Sequence, residues 1–450
     1  MALERVTTFA GRNPRTFYWW VIVPLQSLLI SAFAAPLYGF NAFIGPLDKL
    51  FGTAGWSSWL GATCGGLLLF GGGCGALVNG WLIKRAGGAS RLLIVLCFVT
   101  IGLFGVGALA CYWKSQWLLI LGFAVPTGLV FSNVYTMCTV HVMSWAGVFG
   151  RSGLQSGVIG LCFGFWGAIY SFVGPGIIAD IGPAAMLMAS GVFVGGMYCA
   201  SWLFFVPAPV IEDDTAAQGA GDESRVIGLK LGQLLMLAPF WLFFIYFLFF
   251  LTPGFGFKII VQVLSTKVFD AGVEEASLIA VAFLACYGLS RLFFGYVSDK
   301  LATRPMYLSF TLVQCVCLFV AAVTLPAMES VVVFSVLMCL VGTVFAAGKC
   351  IWMVLLLKIY GKENLHLAMC ATLPAYGLAG LIGPVSLNAM LQGHDIVKAT
   401  SGWLYVMGAL LVICILLILM LKRVDYTRLK QGKAQPLSLS LRGGDALAKF

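Results

Sequence analysis

The chain has 450 residues, 61% of them hydrophobic and only 10% charged, with a formal net charge of +10 and a mean hydropathy of +0.99. A soluble chain carries about 25% charged residues, and so sparse a set cannot cover a water-facing surface. That excludes a soluble multidomain enzyme, a disordered chain and a secreted disulfide-rich protein, and leaves a polytopic membrane protein whose outer surface faces lipid.

The apolar runs are long and uninterrupted. A transmembrane strand needs only about 10 alternating residues, whereas a spanning helix needs about 20 apolar ones, so these runs predict helices. Twelve are found, over Phe17–Pro46, Ser57–Ile83, Leu92–Tyr112, Trp117–Val140, Leu154–Ala179, Ala184–Val206, Leu234–Leu264, Ala276–Val297, Met306–Leu325, Val331–Leu357, His366–Leu391 and Trp403–Leu421. No cleavable signal pattern precedes the first run, which is expected to insert as its own signal. Gly-rich stretches such as Gly71 to Gly73, and Gly160 with Gly164, predict close helix packing.

An even helix count puts both ends on one side. The side that would hold the termini carries twenty of the 27 Lys and Arg residues, including Lys84, Arg85, Arg151, Lys300, Lys358 and the tail from Lys422 to Lys449; the other side carries four, Lys49, Lys114, Lys267 and Lys398. By the positive-inside rule both termini are cytoplasmic. This bias accounts for most of the net charge, so no nucleic-acid partner is implied, and the basic tail is expected to touch anionic lipid. The 14 cysteines fall in or beside apolar runs and behave as small hydrophobes. Neither Cys-x-x-Cys nor His-x-x-x-His spacing occurs, so no metal or other cofactor is expected. There is no phosphate-binding loop, which excludes a primary pump.

Residues 207–230 carry Glu212, Asp213, Asp214, Asp222 and Glu223 among Ala, Gly and Gln, a composition that predicts a solvated cytoplasmic linker. It separates a six-helix unit over 1–206 from another over 231–421, with a basic tail over 422–450. The two look related. Pro36, Gly39, Phe40 and Asn41 recur as Pro253, Gly256, Phe257 and Lys258, displaced by 217 positions, and Gly128, Val130 and Phe131 recur as Gly342, Val344 and Phe345, displaced by 214. Gly174 with Pro175 answers Gly383 with Pro384. Duplicated six-helix units with a central site between them are a pattern of secondary transporters.

Two links carry a family resemblance. Gly80-Trp-Leu-Ile-Lys84-Arg85-Ala-Gly87 follows the second run, and Gly295-Tyr-Val-Ser-Asp299-Lys300-Leu-Ala302 follows the eighth. Both resemble the gating signature of the major facilitator superfamily, Gly-x-x-x-Asp-basic-x-Gly-basic. The second keeps the acid and has Ala302 in place of Gly; the first has Lys84 where the acid is expected. Within the superfamily the chain is similar to the oxalate/formate antiporter group and the related monocarboxylate porters. The residues are Arg151-Ser-Gly153-Leu154-Gln-Ser156-Gly157 at the start of the fifth run, Ser290-Arg291-Leu-Phe-Phe-Gly295 in the eighth, and Tyr360-Gly361-Lys362-Glu363-Asn364-Leu365 before the eleventh. The resemblance implies an all-α membrane protein of twelve transmembrane helices in two pseudo-symmetric bundles, and an arginine at Arg291 that binds substrate. The oxalate carriers add a lysine in the eleventh helix, where this chain has Tyr376, so oxalate itself is not implied.

The three remaining basic residues lie within the spans: Lys258 in the seventh run, Arg291 in the eighth and Lys349 in the tenth. Each costs at least about 2.5–3.5 kcal/mol to bury at membrane depth. No Asp or Glu lies as deep; Asp48, Asp180, Asp299 and Glu329 sit at helix ends. Three cations without an acid predict a site for an anion supplied by the substrate. Arg291 is the first choice, because guanidinium matches a carboxylate bidentately and lies about two turns inside Asp299, with Tyr287 on its face. Lys349 aligns with Tyr135 in the repeat, with Trp352 a turn on. Lys258 aligns with Asn41, one turn from Tyr38. Each has a bland alternative: a structural arginine on helix-end carbonyls, or lysines that snorkel to the interface.

The predicted substrate-binding set is therefore Arg291, Lys349, Lys258, Asn41, Tyr38, Tyr135, Tyr376, Tyr287 and Trp352, and the gating set is Gly80, Lys84, Arg85, Gly295, Asp299 and Lys300. The expected activity is secondary or facilitative transport of small organic anions, mono- or dicarboxylates, by alternating access, with no enzymatic step. A counter-anion or a proton is the candidate coupled species. A carrier of neutral solutes with structural cations, and a transport-dead receptor, are the alternatives. The protein is expected to be a monomer, with the plasma membrane favoured over an organelle.

Overall fold

The computed structural model describes residues 18–52, 60–149, 152–205, 228–327, 330–361, 364–391 and 395–421. Most of the predicted linker (206–227), the basic tail (422–450), Arg151, Lys362 and Glu363 lie outside the described residues, as does the side chain of Lys84. Every predicted apolar run lies mainly on helix where it is described, with breaks at Gly39 and Phe40, at Gly75 and at Met236 and Leu237, and no strand occurs among the described residues.

In the N-terminal part, α1 covers Tyr18–Tyr38 and α2 Asn41–Phe51. They share the first run and part at Gly39 and Phe40, where the ladder shortens: the N–H of Ala42 bonds the carbonyl of Gly39 at 3.1 Å. Then come α3 (Leu60–Cys74), α4 (Ala76–Ala86), α5 (Ala89–Tyr112), α6 (Val125–Phe149) and α7 (Ser152–Leu203). The axes of α3 and α4 bend by 50°. The 52-residue α7 holds two predicted runs and is interrupted at Gly182, whose φ of 81° and ψ of 162° are non-helical. Pro183 follows, and a proline cannot donate to the ladder across that break.

The C-terminal part holds α8 (Leu231–Leu235), α9 (Ala238–Phe269), α10 (Val273–Ser298), α11 (Thr303–Thr324), α12 (Val331–Tyr360), α13 (Leu365–Met390) and α14 (Ile396–Met420). Glu274 and Glu275 occupy the first turn of α10, where a negative charge complements the helix dipole. Asp270 closes α9 in the left-handed region at φ 52°.

Among the described residues ten helices are long and apolar enough to cross a membrane, or eleven if the bent α3–α4 pair is one span. Their outward faces carry side chains such as Phe98 (71% exposed), Phe172 (60%) and Leu289 (61%). A water-soluble protein rarely shows so broad an apolar surface, whereas lipid is its natural solvent. The interior is a large apolar cluster that includes residues of nearly every helix, with a small second one at Val261, Ile279 and Ala280.

The two parts of the chain meet chiefly where α7 packs on α10 and α3 on α13. Both seams are lined by glycine. A Cβ on Gly73 would stand 2.7 Å from Gly377 Cα, closer than packed atoms tolerate. Small residues that let backbones approach are the usual substitute for a hydrophobic driving force between helices in lipid.

Candidate functional site

The buried charged side chains among the described residues are Lys258, Arg291 and Lys349, at 0%, 2% and 4% exposure, and no Asp or Glu is buried with them. They sit on α9, α10 and α12 and converge on one aromatic cage between the two parts of the chain.

Arg291 donates from Nη2 to the Tyr287 hydroxyl at 2.5 Å, one turn earlier on α10. Its Cζ lies 4.3 Å from the Tyr287 ring centroid and 5.9 Å from that of Phe163. Its Nε has no partner. The side chain passes over α7 at Gly160, where a Cβ would stand 2.8 Å from Arg291 Cβ; any larger residue there displaces the guanidinium. Lys349 Nζ donates to the Tyr38 hydroxyl at 2.7 Å and lies 4.0 Å from the Tyr376 ring centroid. Lys258 Nζ is buried with no hydrogen-bond partner. It faces rings instead, 2.6 Å from the centroid of Tyr38, 4.8 Å from Tyr287 and 5.4 Å from Phe255. Tyr38 and Tyr376 bring their hydroxyls to 3.4 Å.

None of the three cations reaches the interface by snorkelling. Ring faces and phenol oxygens partly replace water around them, and a cation over an aromatic face gains up to about 2 kcal/mol when desolvated. That leaves the net positive charge uncancelled. Beside the cage, Tyr38, Tyr135, Ser132, Lys349 and Tyr376 border a cavity with about 20 Å³ open to the centre of a water-sized sphere, room for about one water.

Of the predicted binding residues, Arg291, Lys349, Lys258, Tyr38, Tyr287, Tyr135 and Tyr376 come together. Trp352 borders them, its indole against the Tyr135 side chain and stacked on Phe247 with centroids 5.3 Å apart; one residue stands apart. Asn41 lies a turn beyond Tyr38, where its Oδ1 accepts from Ser171 Oγ at 3.1 Å and its Nδ2 is unpartnered. Sequence reasoning missed Phe255 and Phe163. Phe255 carried a usable signal, its position one turn before Lys258; Phe163 reaches Arg291 only through the packing of α7 on α10.

The gating residues divide. Asp299 closes α10 and reaches across to the start of α7, accepting from the backbone N–H of Gly153 at 2.8 Å and of Leu154 at 3.0 Å. A carboxylate on free N–H groups at a helix start is a favourable pairing. Gly295 packs there against Gly157, and Ser156 donates to the carbonyl of Cys350 at 2.8 Å. Lys300 turns back to the Tyr296 hydroxyl at 2.5 Å. In the first copy of the signature, Arg85 lies over Trp81 at 5.3 Å, and Gly80 has only His366 within 4.0 Å of a built Cβ. The second copy therefore ties the two parts of the chain together by hydrogen bonds, whereas the first meets the C-terminal part by packing, at His366 of α13.

At the opposite end a cavity of about 450 Å³ opens between the parts, bordered by Asn41, Lys49, Pro175, Gln262 and Thr266. Gln262 stands one turn along α9 from Lys258, so a layer about 6 Å thick separates cavity from cage. Nearby, Asp48 accepts from the Gly61 N–H at 3.0 Å. Burial pushes its carboxyl up to about 6, against the opposing pull of that bond and of the Lys267 ammonium.

The sequence profile of the Major Facilitator Superfamily matches residues 27–384 and again 254–447. The chain belongs to the major facilitator superfamily. Solved structures agree in fold. A D-xylose-proton symporter superposes with a TM-score of 0.70 at 15% identity, covering 93% of this chain and 100% of its own. The human organic anion transporter MFSD10 gives 0.59 at 15% identity, covering 90% and 100%. The xylose transporter XylE from E. coli in a partially occluded inward-open conformation gives 0.65 at 13% identity, covering 89% and 96%. No curated protein matches the chain significantly. As a major facilitator the protein is a transporter that works by alternating access, embedded in the bilayer through its apolar helices.

Proposed function

We propose that this transporter carries small organic anions, mono- or dicarboxylates, and that Arg291, Lys349 and Lys258 receive the carboxylate. One observation supports this above the others: three buried cations from three helices share a cage, and no buried acid among the described residues answers them. A neutral cargo would leave that charge uncompensated at a cost of several kcal/mol. A carboxylate cancels part of it and accepts the free Arg291 Nε and Lys258 Nζ donors. Lys349 stands against Tyr376, so it brings a cation to the eleventh predicted helix, where the resembling oxalate carriers have a lysine. The finer kinship with oxalate/formate antiporters and monocarboxylate porters belongs to the same proposal.

A second reading is a carrier of neutral solutes. It is favoured by Arg291 and Lys349 each holding a phenol partner within the chain, which is how structural cations behave.

In the proposed topology the chain crosses the membrane twelve times as two six-helix units, with both termini and the Asp299 seal on the cytoplasmic side. The cavity beside Lys49 then faces outward. The gating residues Gly80, Lys84, Arg85, Gly295, Asp299 and Lys300 flank the cytoplasmic closure. Exchange or facilitated diffusion suits a cage without a carboxylate to carry a proton, and the plasma membrane is the proposed location.

The test is uptake of lactate, pyruvate, formate, oxalate and dicarboxylates into proteoliposomes by the native chain and by Arg291→Gln combined with Lys349→Gln. Carboxylate uptake that disappears in the double variant, at equal reconstitution, is expected. Unchanged uptake in the double variant rejects the assignment.

A further inference from the structure

The three cations all belong to the C-terminal part of the chain, on α9, α10 and α12. Arg291 keeps a partner from its own helix, Tyr287. Neither of the two lysines has a hydrogen-bond partner on its own helix. Their nearest cover is Tyr38, which arrives from the N-terminal part: its hydroxyl accepts from Lys349 Nζ at 2.7 Å while its ring lies against Lys258 Nζ at 2.6 Å. One side chain thus solvates both ammonium groups across the interface that must open and close.

Tyr38 is also the last residue of α1. Gly39 and Phe40 separate it from Asn41, where α2 begins. The backbone there tightens to shorter-range bonds, the N–H of Ala42 to Gly39 and of Phe43 to Phe40, and such a stretch within a helix is a common hinge. The remaining space beside it holds about one water, so a carboxylate reaches the lysines only when Tyr38 leaves.

We propose that Tyr38 is the internal stand-in for the transported anion. It caps Lys349 and Lys258 in the unloaded carrier, which lets the empty molecule close and reorient, and the arriving carboxylate displaces it. This rests on the reading of the cage as an anion site. The consequence is a mode of transport. A carrier whose empty site is capped from within can return unloaded and sustain net flux, whereas one that relies on substrate alone to cover its cations moves only by exchange.

The experiment compares two modes in proteoliposomes with lactate, pyruvate, formate and oxalate as probes: net uptake into empty vesicles, and exchange against the same anion preloaded inside. The native protein is expected to show net uptake within about tenfold of exchange. Tyr38→Phe keeps the ring and loses the acceptor for Lys349; its net uptake should fall at least tenfold with exchange held within about twofold. Tyr38→Ala also uncovers Lys258 and should fall further in net uptake alone. Tyr405→Phe, at an exposed position of α14 away from the cage, should stay near native. Equal loss of both modes in Tyr38→Phe, or no change in either, overturns the proposal, and so does a native protein that is an obligate exchanger, whatever the variants do. Absence of carboxylate flux in both modes of the native protein instead overturns the anion reading on which it rests.

Discussion

Arg291 illustrates how a single residue becomes visible in an apolar chain. Against a background of leucine, glycine and phenylalanine, one guanidinium two turns inside a helix must have a reason to be there, and the structure places it under Tyr287 with Nε unpartnered. Because the fork binds a carboxylate at two points, a point charge is a poor replacement. Arg291→Lys should therefore lower carboxylate uptake by at least about tenfold, in keeping with roughly 1.5–3 kcal/mol for a hydrogen bond to a charged group; uptake within twofold of native argues against bidentate contact. Tyr38 was a harder reading. Its phenol, ring and helix break act together only because α1 faces α9 and α12 across the interface, and no local pattern announces that. Trp352, a turn on from Lys349, keeps to the edge of the cage, where its indole stacks on Phe247 and meets Tyr135.

Among the elements, the pairing of α10 with α7 carries the most consequence. Asp299 holds the first N–H groups of α7 at 2.8 and 3.0 Å, and Cys350 of α12 is buried directly inside that seal, its Sγ 3.5 Å from Ser156 Oγ. Asp299→Asn keeps one acceptor and loses the charge, so the seal should open more often. The expected outcome is alkylation of Cys350 by a small maleimide, read by peptide mass spectrometry, several times faster than in the native protein; an unchanged rate would show that the glycine seam closes this end unaided. Gly160→Ala acts on the same pair from within, because the new methyl displaces Arg291. Carboxylate affinity should drop while the fold persists, checked by uptake against elution behaviour. The acid in the second signature was legible from its motif. Its partner was not, since backbone N–H groups leave no mark in sequence.

For the molecule as a whole, hydropathy alone was enough to foresee the helices, because lipid requires every backbone group to be satisfied within its own segment. The interruption at Gly182 falls between two predicted runs and before Pro183, where sequence placed a boundary. The bend between α3 and α4 fell inside one predicted run, since an apolar stretch reads the same straight or broken. Kinship finer than the superfamily rests on short local matches, and neighbours of 13–15% identity share the fold alone.

Stability carries one pH signature. Asp48 binds its proton more tightly folded, at about 6, than at its ordinary 3.8. The folded state then holds the extra proton between those values, so this group favours folding below about 3.8 and the advantage is lost as pH rises through 6. In detergent, the melting temperature of the native protein should decline relative to Asp48→Asn from pH 4 to 6.5; parallel curves would contradict the half-buried setting of Asp48.

The most direct measurement of the central claim is a side-by-side flux assay of the native protein in one set of proteoliposomes, offered labelled small carboxylates and labelled xylose. An anion site predicts saturable carboxylate flux, suppressed by competing unlabelled carboxylates and indifferent to xylose. Saturable xylose flux with no carboxylate movement would contradict it, and would return Lys258, Arg291 and Lys349 to a structural role.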